Sequence, residues 1–264
     1  MKYSPNDHTF VVCAYKENKY LEECLISVIN QTVRTNVIIT TSTPNQHIQT
    51  LADKYGLTVR VNNGIGSMAD NWNFGVQSAK TNLVTIVHQD DIYEPNYAEK
   101  ILRALNRADH PIIAFSHYAE LRNGEKVYHN RLLNIKKCLL FPMKLSTNSV
   151  FLRRLSLAFG NAICCPAVTY VKEYISADPF DLTLQNSVDW NQWEKMSKMK
   201  GDFVYVDEPL MCHRIHSASA TSEMIENQTR RNEDFEIFCR FWPRPIVKFI
   251  SKVYSTSEKS NELV

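Results

Sequence analysis

Strand-like and helix-like segments alternate along the first hundred residues, and that alternation restricts this chain more than any other feature. Thr9–Tyr15, Asn36–Thr41, Leu57–Val61 and Leu83–Val87 are short runs rich in β-branched and apolar residues. Runs of that length, bounded by turn residues, suit strands buried on both faces of a parallel sheet. Between them lie segments at 19–31, 45–55 and 68–79, and a fourth follows at 95–108. Leu21, Leu25, Val28 and Ile29 fall at helical spacing in the first of these, with Asn18 placed as its cap. The pattern predicts an α/β fold with one Rossmann-like, mostly parallel sheet flanked by helices. Ligands bind such sheets just beyond the carboxyl ends of the strands. Tyr15, Thr41, Asn63 and the His88–Asp91 turn are therefore expected along one edge.

The fourth strand stops abruptly at His88-Gln89-Asp90-Asp91, followed by Glu94-Pro95. Two adjacent carboxylates repel each other, and a divalent cation is a natural partner for them. The competing reading is a solvated turn in which Asp91 starts the helix after Pro95. No glycine-rich phosphate loop follows the first strand, where Ala14-Tyr15-Lys16-Glu17-Asn18 fits neither a dinucleotide fingerprint nor a P-loop. Gly64 and Gly66 read as turn residues.

A net charge of +2 gives no global field for nucleic acid. The seven cysteines are odd in number and form no C-x-x-C pair, which disfavours a disulfide framework or a zinc knuckle and fits reduced thiols in the cytoplasm. The first eight residues hold no apolar signal core, and no apolar run approaches the roughly 18 residues of a membrane span.

Beyond residue 108, Ile112–Leu121 and Lys126–Tyr128 suit a hairpin around Asn123-Gly124. Residues 130–159 read as helical with a basic cluster, 160–166 as a loop of small residues, and 167–171 as a strand. A helix at 186–199 carries Trp190 and Trp193, and a strand at 203–206 leads to Cys212-His213-Arg214-Ile215-His216-Ser217. The composition changes near residue 221. Phe235, Phe238, Phe241, Trp242, Ile246, Phe249, Ile250 and Val253 alternate there with Arg240, Arg244, Lys248 and Lys252. This helical extension suits an anionic bilayer surface, which would place the protein peripherally on the inner face of a cell membrane. Packing back on the domain and a homodimer contact are the competing readings.

Four segments in this order resemble the inverting family 2 glycosyltransferases of the GT-A fold. They are Phe10–Thr32 with Tyr20–Leu25 and Asn30-Gln31-Thr32, the His88–Asp91 turn with Glu94-Pro95, Asp189-Trp190, and His213–His216. The resemblance spans about Thr9 to Ser219. It implies a catalytic domain over 1–220, with a nucleotide-sugar half to about 94 and an acceptor half from 95. It also implies a divalent cation, manganese or magnesium, held by Asp90 and His216, and a catalytic base at Asp189. Donor contacts are expected from Ala14, Tyr15, Thr41, Asn63, Asn73, His88, Gln89 and Arg214. Acceptor contacts are expected from Trp190, Cys165 and Pro166, and Ser217–Thr221 would close over the donor.

Two positions depart from the family pattern. His88 stands where the first acid of a D-x-D motif would be, and imidazole suits manganese better than magnesium. Thr40–Thr43 offer hydroxyls where a base-reading acid is usual, which leaves a UDP- or dTDP-sugar as the implied donor. The implied reaction moves a sugar onto a saccharide, in keeping with a lipid-linked surface glycan. A sugar nucleotidyltransferase and a non-catalytic nucleotide-sugar-binding module are the alternatives.

Overall fold

The computed structural model describes residues 2–216 and 228–258. Its strands are β1 (His8–Ala14), β2 (Asn36–Thr41), β3 (Thr58–Val61), β4 (Leu83–His88), β5 (Ile92–Tyr93), β6 (Pro111–Arg122), β7 (Glu125–Val127), β8 (Val168–Val171) and β9 (Asp202–Ile215). Its helices are α1 (Leu21–Ile29), α2 (Gln46–Tyr55), α3 (Met68–Ser78), α4 (Tyr97–Arg107), α5 (Arg131–Leu145), α6 (Val150–Leu157), α7 (Val188–Met196), α8 (Gln228–Phe238) and α9 (Arg244–Glu258).

The strands join in the order β3-β2-β1-β4-β8-β6-β9-β5, with β7 hairpinned onto β6. The first four are parallel, as the alternation requires. β8 then runs antiparallel to both β4 and β6, while β6 and β9 are parallel to each other. The second half is thus more mixed than the first. Alternate residues of β1 and β4 feed two cores on opposite faces. Phe10, Val12, Leu83 and Val87 join one cluster, and Val11, Val84 and Ile86 the other. Burial on both faces explains why these strands are apolar throughout rather than alternating.

Local chemistry sets the helices that aim the site. Asn45 caps α2 by accepting from the Ile48 amide at 3.0 Å, an interaction worth about 1 kcal/mol. Ser67 caps α3 in the same way through the Asp70 amide. Gly75 lets α3 lie close on the sheet, because a Cβ there would sit 3.1 Å from methyls of Val11 and Ile86.

The carboxyl-terminal segment packs on the domain. Ile237, Phe238 and Val247 are buried in the second core, with Phe235, Phe241, Trp242 and Ile250 against it. Of the described side chains in the aromatic and aliphatic set that suited a bilayer, only Ile246 (45% exposed) and Phe249 (72%) face outward. Among the described residues no helix is long and apolar enough to cross a membrane.

Candidate active site

The end of β4 and the end of β9 meet through β5, which pairs Ile92 with Cys212. That register carries His213–His216 across from Asp90 and Asp91. His216 Nε2 lies 2.8 Å from Asp90 Oδ2. Asp91 turns inward and is fully buried. Its Oδ1 accepts from His213 Nδ1 at 3.0 Å and from the Arg214 amide at 2.9 Å. Burial opposes the ionised form of Asp91, yet His213, with His88 and that amide, holds its pKa below the usual carboxylate value. His213 mirrors this: burial lowers its pKa, and the Asp91 carboxylate more than reverses the effect.

His88 stacks on Trp72 with ring centroids 5.3 Å apart, and its Nδ1 is 3.8 Å from Asp91 Oδ2. Its Nε2 is buried without a hydrogen-bond partner. Arg214 lies over the Tyr20 ring at 4.1 Å, donates through Nε to the Asp90 carbonyl at 2.8 Å, and pairs through its fork with Glu23. A cleft of about 390 Å³ opens beside Arg214 and His216, walled by Tyr20, Leu121 and the Asn123-Gly124 turn.

Asp189 stands in the first turn of α7. Its Oδ2 accepts from Asn161 Nδ2 at 2.8 Å and its Oδ1 from the Trp190 amide at 2.7 Å. Desolvation raises its pKa, and the Asn161 bond, the Trp190 amide, Lys136 and Arg230 only partly offset that rise. A carboxylate with its proton affinity raised in this way suits a general base.

A family model described as glycosyltransferase-like family 2 matches residues 5–233. The chain belongs to that family. Glycosyltransferases of Rickettsia bellii and Rickettsia prowazekii are 24% and 25% identical to it over 234 and 233 residues. The matches cover 85% and 86% of this chain, but 32% and 69% of those relatives, so it spans about a third of the first and about two thirds of the second. TarS of S. aureus in complex with UDP-GlcNAc shares the fold with a TM-score of 0.64 at 14% identity, over 93% of this chain and 70% of that one. The mannosyltransferase PcManGT of Pyrobaculum calidifontis, in complex with GDP-Man and Mn2+, gives 0.65 at 12% identity, over 97% and 73%. The fold is that of GT-A glycosyltransferases.

Several residues expected to contact substrate in this family 2 chain are placed elsewhere. Trp190 is 1% exposed, donates to the Leu157 carbonyl and packs edge-on against Phe238, so it offers no face to an acceptor. Cys165 and Pro166 are buried in the turn that leads into β8, where the Cys165 thiol is pushed well up by burial and the Pro166 carbonyl accepts from Tyr93. Asn73 is 3% exposed and exchanges two hydrogen bonds with the Phe180 backbone, which makes it a brace for that loop and removes it from the donor. Ala14 and Thr41 are buried strand ends, and Thr41 Oγ1 accepts from the Thr43 amide. Gln89 spends both ends of its amide on the Tyr15 backbone, accepting at 2.9 Å and donating at 3.0 Å. Tyr15 and Asn63 are exposed on the expected edge. Ser217–Thr221 lie outside the described residues.

Asn161 and Lys136 were not singled out from the sequence as site residues. Asn161 sits in the small-residue loop, whose composition was the signal available. Lys136 was one member of a basic cluster, and nothing in its spacing marks it as turned inward over Tyr118.

Proposed function

We propose that this chain transfers a sugar from a nucleoside diphosphate sugar to an acceptor hydroxyl, with inversion, by direct displacement. The observation that carries the reading is the meeting of Asp90 and His216, from opposite halves of the sequence, at 2.8 Å. One carboxylate oxygen and one imidazole nitrogen suit a divalent cation that takes its remaining ligands from substrate phosphate and water. Among the described residues no group of three His, Cys, Asp or Glu side chains is placed to hold a metal ion. Bound there, manganese or magnesium would neutralise charge on the departing diphosphate.

The chain's own groups supply the rest. Asp189 removes the proton from the acceptor hydroxyl as its oxygen attacks the anomeric carbon. The bond from that carbon to the diphosphate breaks on the opposite face, and the nucleoside diphosphate leaves with the electron pair. Asn161 holds the Asp189 carboxylate by donating to Oδ2. Arg214 is near enough to Asp90 to meet the diphosphate once it leaves Glu23. His88 Nε2, buried and without a hydrogen-bond partner, would meet a ribose or phosphate oxygen once substrate binding uncovers it. In this reading residues 1–94 carry the donor, with Arg214 and His216 reaching its diphosphate from the end of β9, and the other later elements carry the acceptor, a saccharide. UDP- and dTDP-sugars are the first donors to try, and the GDP-Man held by PcManGT adds a third class.

Offering the protein a panel of nucleotide sugars with and without manganese tests this. Release of nucleoside diphosphate and an inverted anomeric centre in the product, read by NMR, are expected. Pyrophosphate release, or donor binding with no turnover toward any saccharide, overturns it.

A further inference from the structure

The loop that leads into Asp189 is held by one carboxylate from a distant part of the chain. Glu233, in α8, accepts the backbone N–H groups of three successive residues: Gln185 at 2.8 Å, Asn186 at 2.9 Å and Ser187 at 2.8 Å. Consecutive amides converging on an anion form a charge-assisted cradle stronger than three neutral contacts. Asp234 accepts the Ser187 hydroxyl at 2.5 Å. That hydroxyl is therefore turned away from α7, whose N-cap residue gives no side-chain cap.

The other support of Asp189 is backed from the same segment. Tyr254 of α9 packs on Gly160, beside Asn161, where a Cβ would sit 2.6 Å from the ring. Gly160 has φ 148°, so a side chain there would be strained as well. Just past α8, Arg240 donates to Asn191 Oδ1 at 2.7 Å, and Trp242 Nε1 donates to the Ala158 carbonyl at 2.6 Å. Both anchors of the Asp189 carboxylate thus lean on residues 233–254.

We infer that Glu233 is a positioning residue for Asp189, acting through the amides of Gln185–Ser187, and that Trp242 and Tyr254 brace the loop carrying Asn161. The inference rests on Asp189 as the base. Its physical basis is that a base displaced by about 1 Å loses on the order of a hundredfold in rate.

Glu233→Gln in the full chain is the test. It leaves one acceptor oxygen and sets an NH2 group against an amide donor. Expected are a kcat lowered roughly 10- to 100-fold and a donor KM within about twofold of the parent. Hydrogen exchange at 185–187 should quicken. The groups facing Asp189 are Lys136 from α5, Arg230 from α8, Cys164 and Cys165 from the loop, and Tyr170 from β8. None is altered by the substitution, so a looser and wetter Asp189 should titrate at lower pH, moving the acid limb of kcat with it. Glu233→Asp should restore part of the rate, and Glu236→Gln, on the exposed side of α8, should change nothing.

An unchanged kcat and acid limb overturn the inference. So does a loss of thermal stability with kcat reduced only in proportion to folded protein. If Glu233→Gln does not fold, Ser187→Ala loosens the same loop more gently and is read in the same way. Carboxyl ¹³C titration of Asp189 decides the point without turnover. A wild-type protein inactive toward every donor would sink the proposed reaction, while that titration still tests Glu233.

Discussion

His216 Nε2 and Asp90 Oδ2 face each other at 2.8 Å although 126 residues separate them in sequence. The pair is built by the β5–β9 register, so it is a property of the sheet more than of either loop. Asp90→Ala and His216→Ala should each weaken manganese binding about tenfold or more in the presence of nucleoside diphosphate. Electron paramagnetic resonance of free manganese measures this. Parent-like binding by either variant would remove that residue from the ligand set.

Asp189→Asn should lower turnover by roughly 10²- to 10⁴-fold, the range expected for loss of a general base. Donor affinity by calorimetry should be unchanged. The base works only when ionised, and burial raises its pKa. Activity of the parent should accordingly fall with decreasing pH earlier than an ordinary aspartate, near 3.9, would allow. A kcat limb at or below that value contradicts the assignment.

Arg214 is shared between the Asp90 carbonyl and Glu23, whose side chain is 55% exposed. The Arg214 side chain is largely buried, so Glu23 is the solvent-facing partner of the pair, and an arriving diphosphate can displace it. Glu23→Gln should tighten nucleoside diphosphate binding at low ionic strength by up to about fivefold, and the gain should fade as salt is added. Arg214→Lys should weaken the same binding, because an ammonium lacks the second arm of the fork. Calorimetry at two salt concentrations reads both.

His8 is buried in β1, with Nε2 2.8 Å from Thr85 Oγ1, and burial pushes its pKa down from 6.5 to about 3. The unfolded chain takes up a proton near 6.5 that the folded chain refuses until about 3, so the unfolded state binds more protons throughout that window. Stability is intact above pH 6.5 and drains away as the pH falls toward 3. His8→Gln should flatten the dependence of urea midpoint on pH across the window. An unaltered slope would show that other groups govern acid unfolding.

The parallel half of the sheet could be read from the sequence because β1 and β4 are buried on both faces, and Thr85, the polar residue inside β4, is β-branched and paired with His8. β9 could not. Asp207, Glu208 and Pro209 break its apolar run, and the short strand expected at 203–206 proves to be the start of one reaching Ile215. A register shift against β6 near Pro209 lets the strand absorb that break. Helical spacing placed Trp190 on α7 but could not tell a cleft wall from a core. The face it presents is covered by α8, which begins 38 residues later. Glu233 was invisible for a related reason. Within a polar helix a glutamate reads as solvated surface, and only the folded chain brings three amides to it.

The amide of Gln89 does for the sheet what a peptide group would. The pairing of β1 with β4 ends at Cys13 and His88, where the main chain of β4 swings off toward Asp90. The Gln89 side chain supplies the next rung, meeting both the N–H and the carbonyl of Tyr15. One strand can thus end for the sake of its carboxylate while its neighbour behaves as though it continued. A carboxamide employed like this still has one N–H and one lone pair to spare. The first loop and the turn that bears Asp90 are thus tied to move as one, while the side chain stays open to a further polar partner.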